Sequence, residues 1–537
     1  MSLFLGCLLL FHFRQITRNQ EALMTIRALR TFALILSLIV ISAMWTEAIA
    51  GEPTPTKSKS ATSKNNSATS IKHVVLLGID GFHALDLENF VVSHPDSALA
   101  QLKKMSLTYT SAYTTKPSDS FPGILSMVTG GTPFSTGVYF ESSYDRALSP
   151  AGSKCATTGT KILLDESIDI NPDAVDGGGG VSADKVPLDP KRGCAPVFPH
   201  NLLRVNTIFE VIKAAGLRTA WADKQPGYEV VNGPSGKGVD DLFTPELHFN
   251  ASSKSLEKIK AFDDLRLQAV LNEISGHDRT GKQTVPVPAV LGMTFQAVTV
   301  GQKLKSGMGY IDEAGTPSAP LLEAMEYTDK SIGKILDALR AQGLLSSTVV
   351  ILTAKHAQSP IDITKKQIVD EKIIPGLING IQDGLVGQVS GADIVFIWLK
   401  DGKKTADVVA ALKAHEKEAH IQKIFSGKAL QLMFPDAAED SRSPDIVLEP
   451  EFGVIYTKVN GPAIAEHGGF LEEDTHVPLM MAIPGTSQQE VRTSVSTTQI
   501  APSILQLLGL DPKQLKAVQI EKTQVLPGLP NKANTTK

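Results

Sequence analysis

The run from His73 to Ile79 is almost unbroken in apolar residues and ends in Asp80-Gly81-Phe82. A strand with no polar alternation must be covered on both faces, which places it inside a parallel sheet flanked by helices. Thr348 to Ala354 is a second run of this kind. Between and beyond them the pattern changes period. Asn206 to Ala215 has helical spacing with Gly216 placed to end it, and Leu321 to Leu339 carries Met325, Ile332, Ile335, Leu336 and Leu339 on one side. Arg218–Ala222, Asp393–Leu399 and Leu479–Ile483 read as further strands, Thr405–His415 and Gln499–Leu508 as helices. This alternation predicts an α/β fold with a mostly parallel central sheet and helices on both faces. Segments 244–290 and 357–440 interrupt it and are expected to be inserted cap or lid elements.

The ends of the chain differ from this body. Arg27 and Arg30 precede an apolar run, Phe32 to Trp45, followed by Ala48-Ile49-Ala50, which reads as an export signal over residues 1–50. Met24 is the more usual start for such a signal, so residues 1–23 read as an upstream extension, and membrane contact is expected only if this segment stays uncleaved. Residues 51–70 are a polar linker rich in Ser, Thr, Lys and Pro, residues 71–525 the folded domain, and 526–537 a loose tail. The expected location is secreted or periplasmic. Past the signal only Cys155 and Cys194 remain of three cysteines, and in an exported chain they are expected to form one disulfide. A formal net charge of −4 and a pI near 6.3 exclude the basic footprint of a protein that binds nucleic-acid polymers.

Carboxyl ends of strands in a parallel sheet face the ligand crevice, which makes Asp80 a candidate metal ligand. Ser120, in Pro117-Ser118-Asp119-Ser120-Phe121-Pro122, is the candidate nucleophile. Two prolines restrict its turn and a helix could begin just after it; Ser118 is the rival. His356 follows the Thr348–Ala354 strand and His467 lies in Ala465-Glu466-His467-Gly468-Gly469. Neither sits on an apolar helical stripe, and neutral imidazole is a frequent metal ligand. Arg204 is expected in a surface ion pair and Asp445 in a turn, while Glu466, Asp474 and His476 flank His467 as less favoured ligands. Asn65, Asn250 and Asn534 fit glycosylation sequons.

Taken together, these positions resemble the alkaline phosphatase superfamily, and most closely its type I phosphodiesterase / nucleotide pyrophosphatase branch, from about Ile71 to Pro512. Val75 to Phe82 resembles the first metal motif, Ser120-Phe121-Pro122 with Val128-Thr129-Gly130 the nucleophile motif, and Gln499 to Gly509 the closing helix. The resemblance implies hydrolysis of phosphate mono- or diesters of small molecules through a phosphoseryl intermediate. Two divalent ions, usually zinc, are the family pattern, with metal ligands here at Asp80, Ser120, His356 and His467. Several positions depart from it. Lys355 stands where an Asp ligand is expected, Val298 and Gln302 replace an Asp and a His, and Gly123 replaces a phosphate-holding Asn. One ion is therefore expected rather than two, or none with Lys355 as a fixed cation serving catalysis. The alternative is a non-catalytic member that binds an anionic ligand or a partner protein. A sulfatase is the weakest reading, because neither Ser118 nor Ser120 stands in the Cys/Ser-x-Pro-x-Arg context of that class.

Overall fold

The structure, a computed structural model, describes residues 70–530 apart from Ser306. The export signal, Cys7, Asn65, linker residues 51–69, tail residues 531–537 and Asn534 lie outside the described residues. Among the described residues no helix is long and apolar enough to cross a membrane.

The strands of the body are β1 (His73–Ile79), β2 (Ser106–Tyr109), β3 (Ala220–Ala222), β4 (Asp241–Phe243), β5 (Val290–Phe295) and β6 (Thr348–Thr353). The insert contributes β7 (Val386–Ser390), β8 (Val395–Leu399), β9 (Ile421–Ser426) and β10 (Ile446–Pro450), and the chain returns with β11 (Met480–Ala482) and β12 (Gln489–Val491). The central sheet has eight strands in the order β12-β2-β11-β6-β1-β5-β3-β4. β1 lies between β5 and β6, parallel to both, and β11 runs against its neighbours β6 and β2.

β1 shows why its sequence lacks polar alternation. Val74 and Leu76 enter one core, and Val75, Leu77 and Ile79 enter the other. Helices α1 (Ser120–Thr129), α2 (Ile208–Ala214) and α7 (Ile500–Leu508) cover the first face. Helices α3 (Leu256–Ile274), α4 (Ala297–Lys303) and α5 (Ala319–Ala341) cover the second. Local chemistry sets their starts: Thr207 and Glu210 form a reciprocal cap on α2, and Ser318 caps α5.

Three expectations change. Segment 244–290 is not simply a cap: α3 sends Leu267, Val270 and Ile274 into the core. Asp393–Leu399 does not join the central sheet; β8 belongs to the separate antiparallel sheet β7-β8-β10-β9. Helix α6 (Thr405–Ala414) packs on one face of that sheet, and Tyr139, Phe140 and Tyr144 of the body pack on the other. The tail expected from residue 526 begins as packed chain, because Leu526 lies in the core and the Tyr109 hydroxyl donates to the Pro527 carbonyl over 2.9 Å.

Candidate active site

Four strand ends and one helix start converge. Asp80 follows β1 and is fully buried. Ser120 is the first residue of α1, whose N-cap Asp119 accepts from the Phe121 amide. Lys355 and His356 follow β6, and His467 enters from the loop before β11. The His356 and His467 ring centroids lie 3.9 Å apart with the planes tilted by 30°, and His356 Nε2 lies 3.2 Å from Ser120 Oγ and 4.0 Å from Asp80 Oδ2. Asp80, Ser120, His356 and His467 thus lie together. Ser118 turns away, its hydroxyl donating to the Asp474 carbonyl. Glu466 pairs with Lys303 at 2.7 Å, and His476 with Glu472 at 3.2 Å. Asp474 caps the short helix Glu472–Thr475 through the Leu471 amide. Arg204 forms its ion pair, with Asp440, whereas Asp445 does more than shape a turn: it pairs with Arg146 and accepts from the Leu399 amide.

Lys355 is fully buried, and its ammonium lies 2.9 Å from Asp80 Oδ2, 3.1 Å from Asp223 Oδ1 and 3.2 Å from the Tyr228 hydroxyl. Asp223 is held by Thr294 Oγ1 at 2.7 Å and by its neighbour's amide, Lys224 N, at 2.9 Å. Gln296 donates to Asp80 Oδ2 over 2.6 Å. A second ammonium, Lys224 Nζ, lies 3.2 Å from Ser120 Oγ and 4.0 Å from Asp80 Oδ2. The sequence reading missed Asp223, Lys224, Tyr228 and Gln296. Asp223 and Lys224 follow the end of β3, so the strand-end argument used for Asp80 could have found them. Gln296 follows β5, a strand the reading did not resolve.

Burial raises the Asp80 carboxyl, but Lys355, His356 and Lys224 outweigh it and hold the group at about 2. Burial brings His356 down to about 3, with Lys224 and Lys355 adding to it against Asp80. Burial also puts His467 well below the ordinary histidine value. Lys224 is lowered by burial and by Lys355, against the pull of Asp80. Asp119 is pushed up to about 7, by burial and then by Glu141. The His356 tautomer follows from its contacts: Nδ1 donates to the Ala357 carbonyl over 3.1 Å, which leaves the Nε2 lone pair toward Ser120.

The residues do not fit a resident pair of divalent ions. Val298 is in the apolar core, and Gln302 is spent on the Tyr310 hydroxyl at 2.6 Å and the Gln358 amide at 2.9 Å, which leaves His467 alone at the second position. At the first position an ion held by Asp80, Ser120 and His356 would face two ammonium groups. Each would repel a dication by roughly 8 kcal/mol at about 4 Å and an effective dielectric of about 20. Gly123 is tied to the same change. A Cβ there would lie 2.2 Å from the Lys355 carbonyl oxygen, so a side chain such as Asn has no room.

The mostly parallel sheet, with a serine at a helix start facing an aspartate and a histidine at strand ends and a second histidine from a loop, defines an alkaline phosphatase-like α/β protein. Murine ectonucleotide pyrophosphatase / phosphodiesterase 5 superposes with a TM-score of 0.53 at 14% identity, covering 82% of this chain and 96% of that one. Alkaline phosphatase PafA superposes with a TM-score of 0.58 at 13% identity, covering 83% of this chain and 97% of that one. No curated protein matches the chain by sequence. The type I phosphodiesterase / nucleotide pyrophosphatase family matches residues 74–473, and the chain belongs to that family. Its reaction class is phosphoester hydrolysis.

Proposed function

We propose that the chain hydrolyses small phosphate mono- or diesters by attack of Ser120 on phosphorus. The observation that carries this reading is the placement of Ser120 Oγ, 3.2 Å from both His356 Nε2 and Lys224 Nζ. The hydroxyl proton passes to the Nε2 lone pair as the Oγ–P bond forms and the bond from phosphorus to the leaving oxygen breaks. Lys224 donates to Oγ and lies beside the phosphoryl oxygens, while Lys355, fixed by Asp80 and Asp223, supplies a second positive charge. An incoming phosphate sets negative charge against the His356 ring and favours the imidazolium, which offsets its low starting affinity for a proton. The leaving oxygen takes a proton from solvent and departs as the alcohol; water then attacks the phosphoserine and releases a proton to solvent as the P–Oγ bond breaks, and the imidazolium returns its proton to Ser120 Oγ.

In this reading the two ammonium groups take the place of metal ions, and the single zinc expected from the resemblance is not needed at this site. Nucleotide esters are the favoured substrate class, since an inactive form of murine ectonucleotide pyrophosphatase / phosphodiesterase 5 is in complex with AMP. The Cys155–Cys194 disulfide supports an exported protein.

The test is turnover of chromogenic phosphate mono- and diesters, with chelator and with added zinc, by the wild type and Ser120→Ala. The variant is expected to lose at least about a thousandfold in kcat, and chelator is expected to leave the wild-type rate within a factor of about two. Undiminished turnover by Ser120→Ala would sink the reading. The replaced ligand positions favour a binding-only member as the second reading. It predicts AMP binding with no turnover in any metal condition.

A further inference from the structure

A second polar cluster lies outside the site just described. Glu166 and Asp169 sit in a short turn inside the loop closed by Cys155 and Cys194, and Glu246 and His248 follow β4. Ligand-type atoms of Glu166, Glu246 and His248 all lie within 4.8 Å of one another. His248 Nδ1 is 3.2 Å from Glu166 Oε2 and 3.3 Å from Glu246 Oε1. Asp169 and Glu246 are both fully buried and their carboxyl groups face each other. Neither Asp169 oxygen has a hydrogen-bond partner, nor has Glu246 Oε2. The nearby ammonium of Lys185 donates to the Asp169 backbone carbonyl instead.

Three carboxylates against one imidazole, with both Asp169 oxygens and Glu246 Oε2 buried and without donors, is an arrangement that a fold retains only if a proton or a cation fills it. From this geometry we propose that Glu166, Glu246 and His248, with the buried Asp169 carboxylate beside Glu246 adding negative charge, bind one divalent transition-metal ion of the zinc or manganese type. One imidazole nitrogen with carboxylate oxygens suits such an ion, whereas calcium prefers an all-oxygen shell. Glu166 and His248 are each about one-third exposed and give the ion a way in.

The ion braces the loop that carries Lys224. Gln225, the next residue, donates from its amide to the Pro245 carbonyl over 2.6 Å, one residue before Glu246. Its side chain donates to the Leu164 carbonyl over 3.0 Å, two residues before Glu166. A cation joining Glu166 to Glu246 therefore closes the two segments that grip Gln225. The ion contacts no reacting atom, and the two Gln225 hydrogen bonds hold without it, so its removal is read in the melting temperature and moves turnover by no more than about twofold.

The experiment is calorimetric titration of the chelator-stripped full chain with zinc, manganese and, as a control, calcium, together with melting temperatures in each. One saturable site for zinc or manganese and a raised melting temperature are expected. Asp169→Asn and the half-exposed pair Glu166→Gln and His248→Ala are each expected to weaken binding at least about tenfold, and the exposed pair guards against misfolding. Ser120→Ala and His467→Ala should bind the ion at the wild-type stoichiometry, which separates this site from the fate of the catalytic proposal. Three results would each overturn the proposal. One is no saturable binding by the wild type. Another is binding lost in His467→Ala but kept in the exposed pair. The last is Asp169→Asn raising the melting temperature with ion binding unchanged, which would mean a proton shared between the two buried carboxyls and no ion.

Discussion

Lys355 holds the most consequential position at the residue scale. Among the described residues its ammonium alone lies within ion-pair distance of both Asp80 and Asp223. Removing it with Lys355→Met leaves two buried carboxylates short of a partner, and such a loss costs about 3–5 kcal/mol. Chemical denaturation should show that loss, and phosphoesterase turnover should fall with it; a variant as stable as the wild type would mean that the pairing carries no weight. Gly123→Ala tests the same neighbourhood from the other side. A methyl group 2.2 Å from the Lys355 carbonyl must displace backbone, so a loss of about 1–3 kcal/mol is expected, with a lower kcat where Lys355 shifts. The replacements were visible before any coordinates, because Lys355, Val298, Gln302 and Gly123 each stand at a position where the resemblance implies another residue. What takes over their work was not. Lys224 follows the strand that the sequence does show at Arg218–Ala222, but its 3.2 Å approach to Ser120 joins positions far apart in the chain, which no local pattern records.

Among the elements, those whose pattern follows one physical demand were legible. β1 and β6 are buried on both faces and read as continuous apolar runs, and α5 has one buried side and reads as a helical stripe. β5 was hidden. Pro286 and Pro288 precede it and Gly292 lies within it, where a Cβ would stand 1.9 Å from the Leu76 carbonyl oxygen. α3 lies in a segment that reads as a cap, because charge breaks its apolar face: Asp263 and Arg266 are paired and fully buried. The insert is fixed to the body by elements that carry ion pairs, Arg204–Asp440, Arg146–Asp445 and Arg442–Asp145. Arg204 holds the Asp440 carboxyl below its usual value, at about 2, against the effect of burial. A depressed carboxyl contributes stability that is present above its unfolded value near 3.8 and is lost as pH falls through about 2. Asp440→Asn is therefore expected to cost about 1 kcal/mol at pH 7, after allowance for solvent screening of a partly exposed pair. Urea titrations between pH 7 and pH 3 should show the gap to the wild type narrowing below pH 4; a constant gap would locate the effect in packing instead.

For the whole molecule, the sheet and its two helical layers rest on cores that need no covalent help, whereas the Cys155–Cys194 loop is built differently. It contains Gly177, Gly178, Gly179 and Gly180, all with positive φ, and contributes few residues to either core. Its two cysteines are 39 residues apart. Closing a loop of that length removes about 4 kcal/mol of chain entropy from the unfolded state. The gain belongs to the global equilibrium, because it acts on the disordered chain rather than on any contact in the folded one. Reduction, or the double change Cys155→Ser with Cys194→Ser, is accordingly expected to lower the denaturation midpoint by an amount corresponding to about 2–4 kcal/mol. Ser120, His356 and Lys355 are set by strand and helix ends outside the loop, so turnover of the folded fraction at 25 °C should change much less than stability does. Parallel measurement of the midpoint and of kcat decides it. A large fall in kcat with an unchanged midpoint would make the disulfide loop part of the catalytic scaffold, contrary to the separation argued from the two cores.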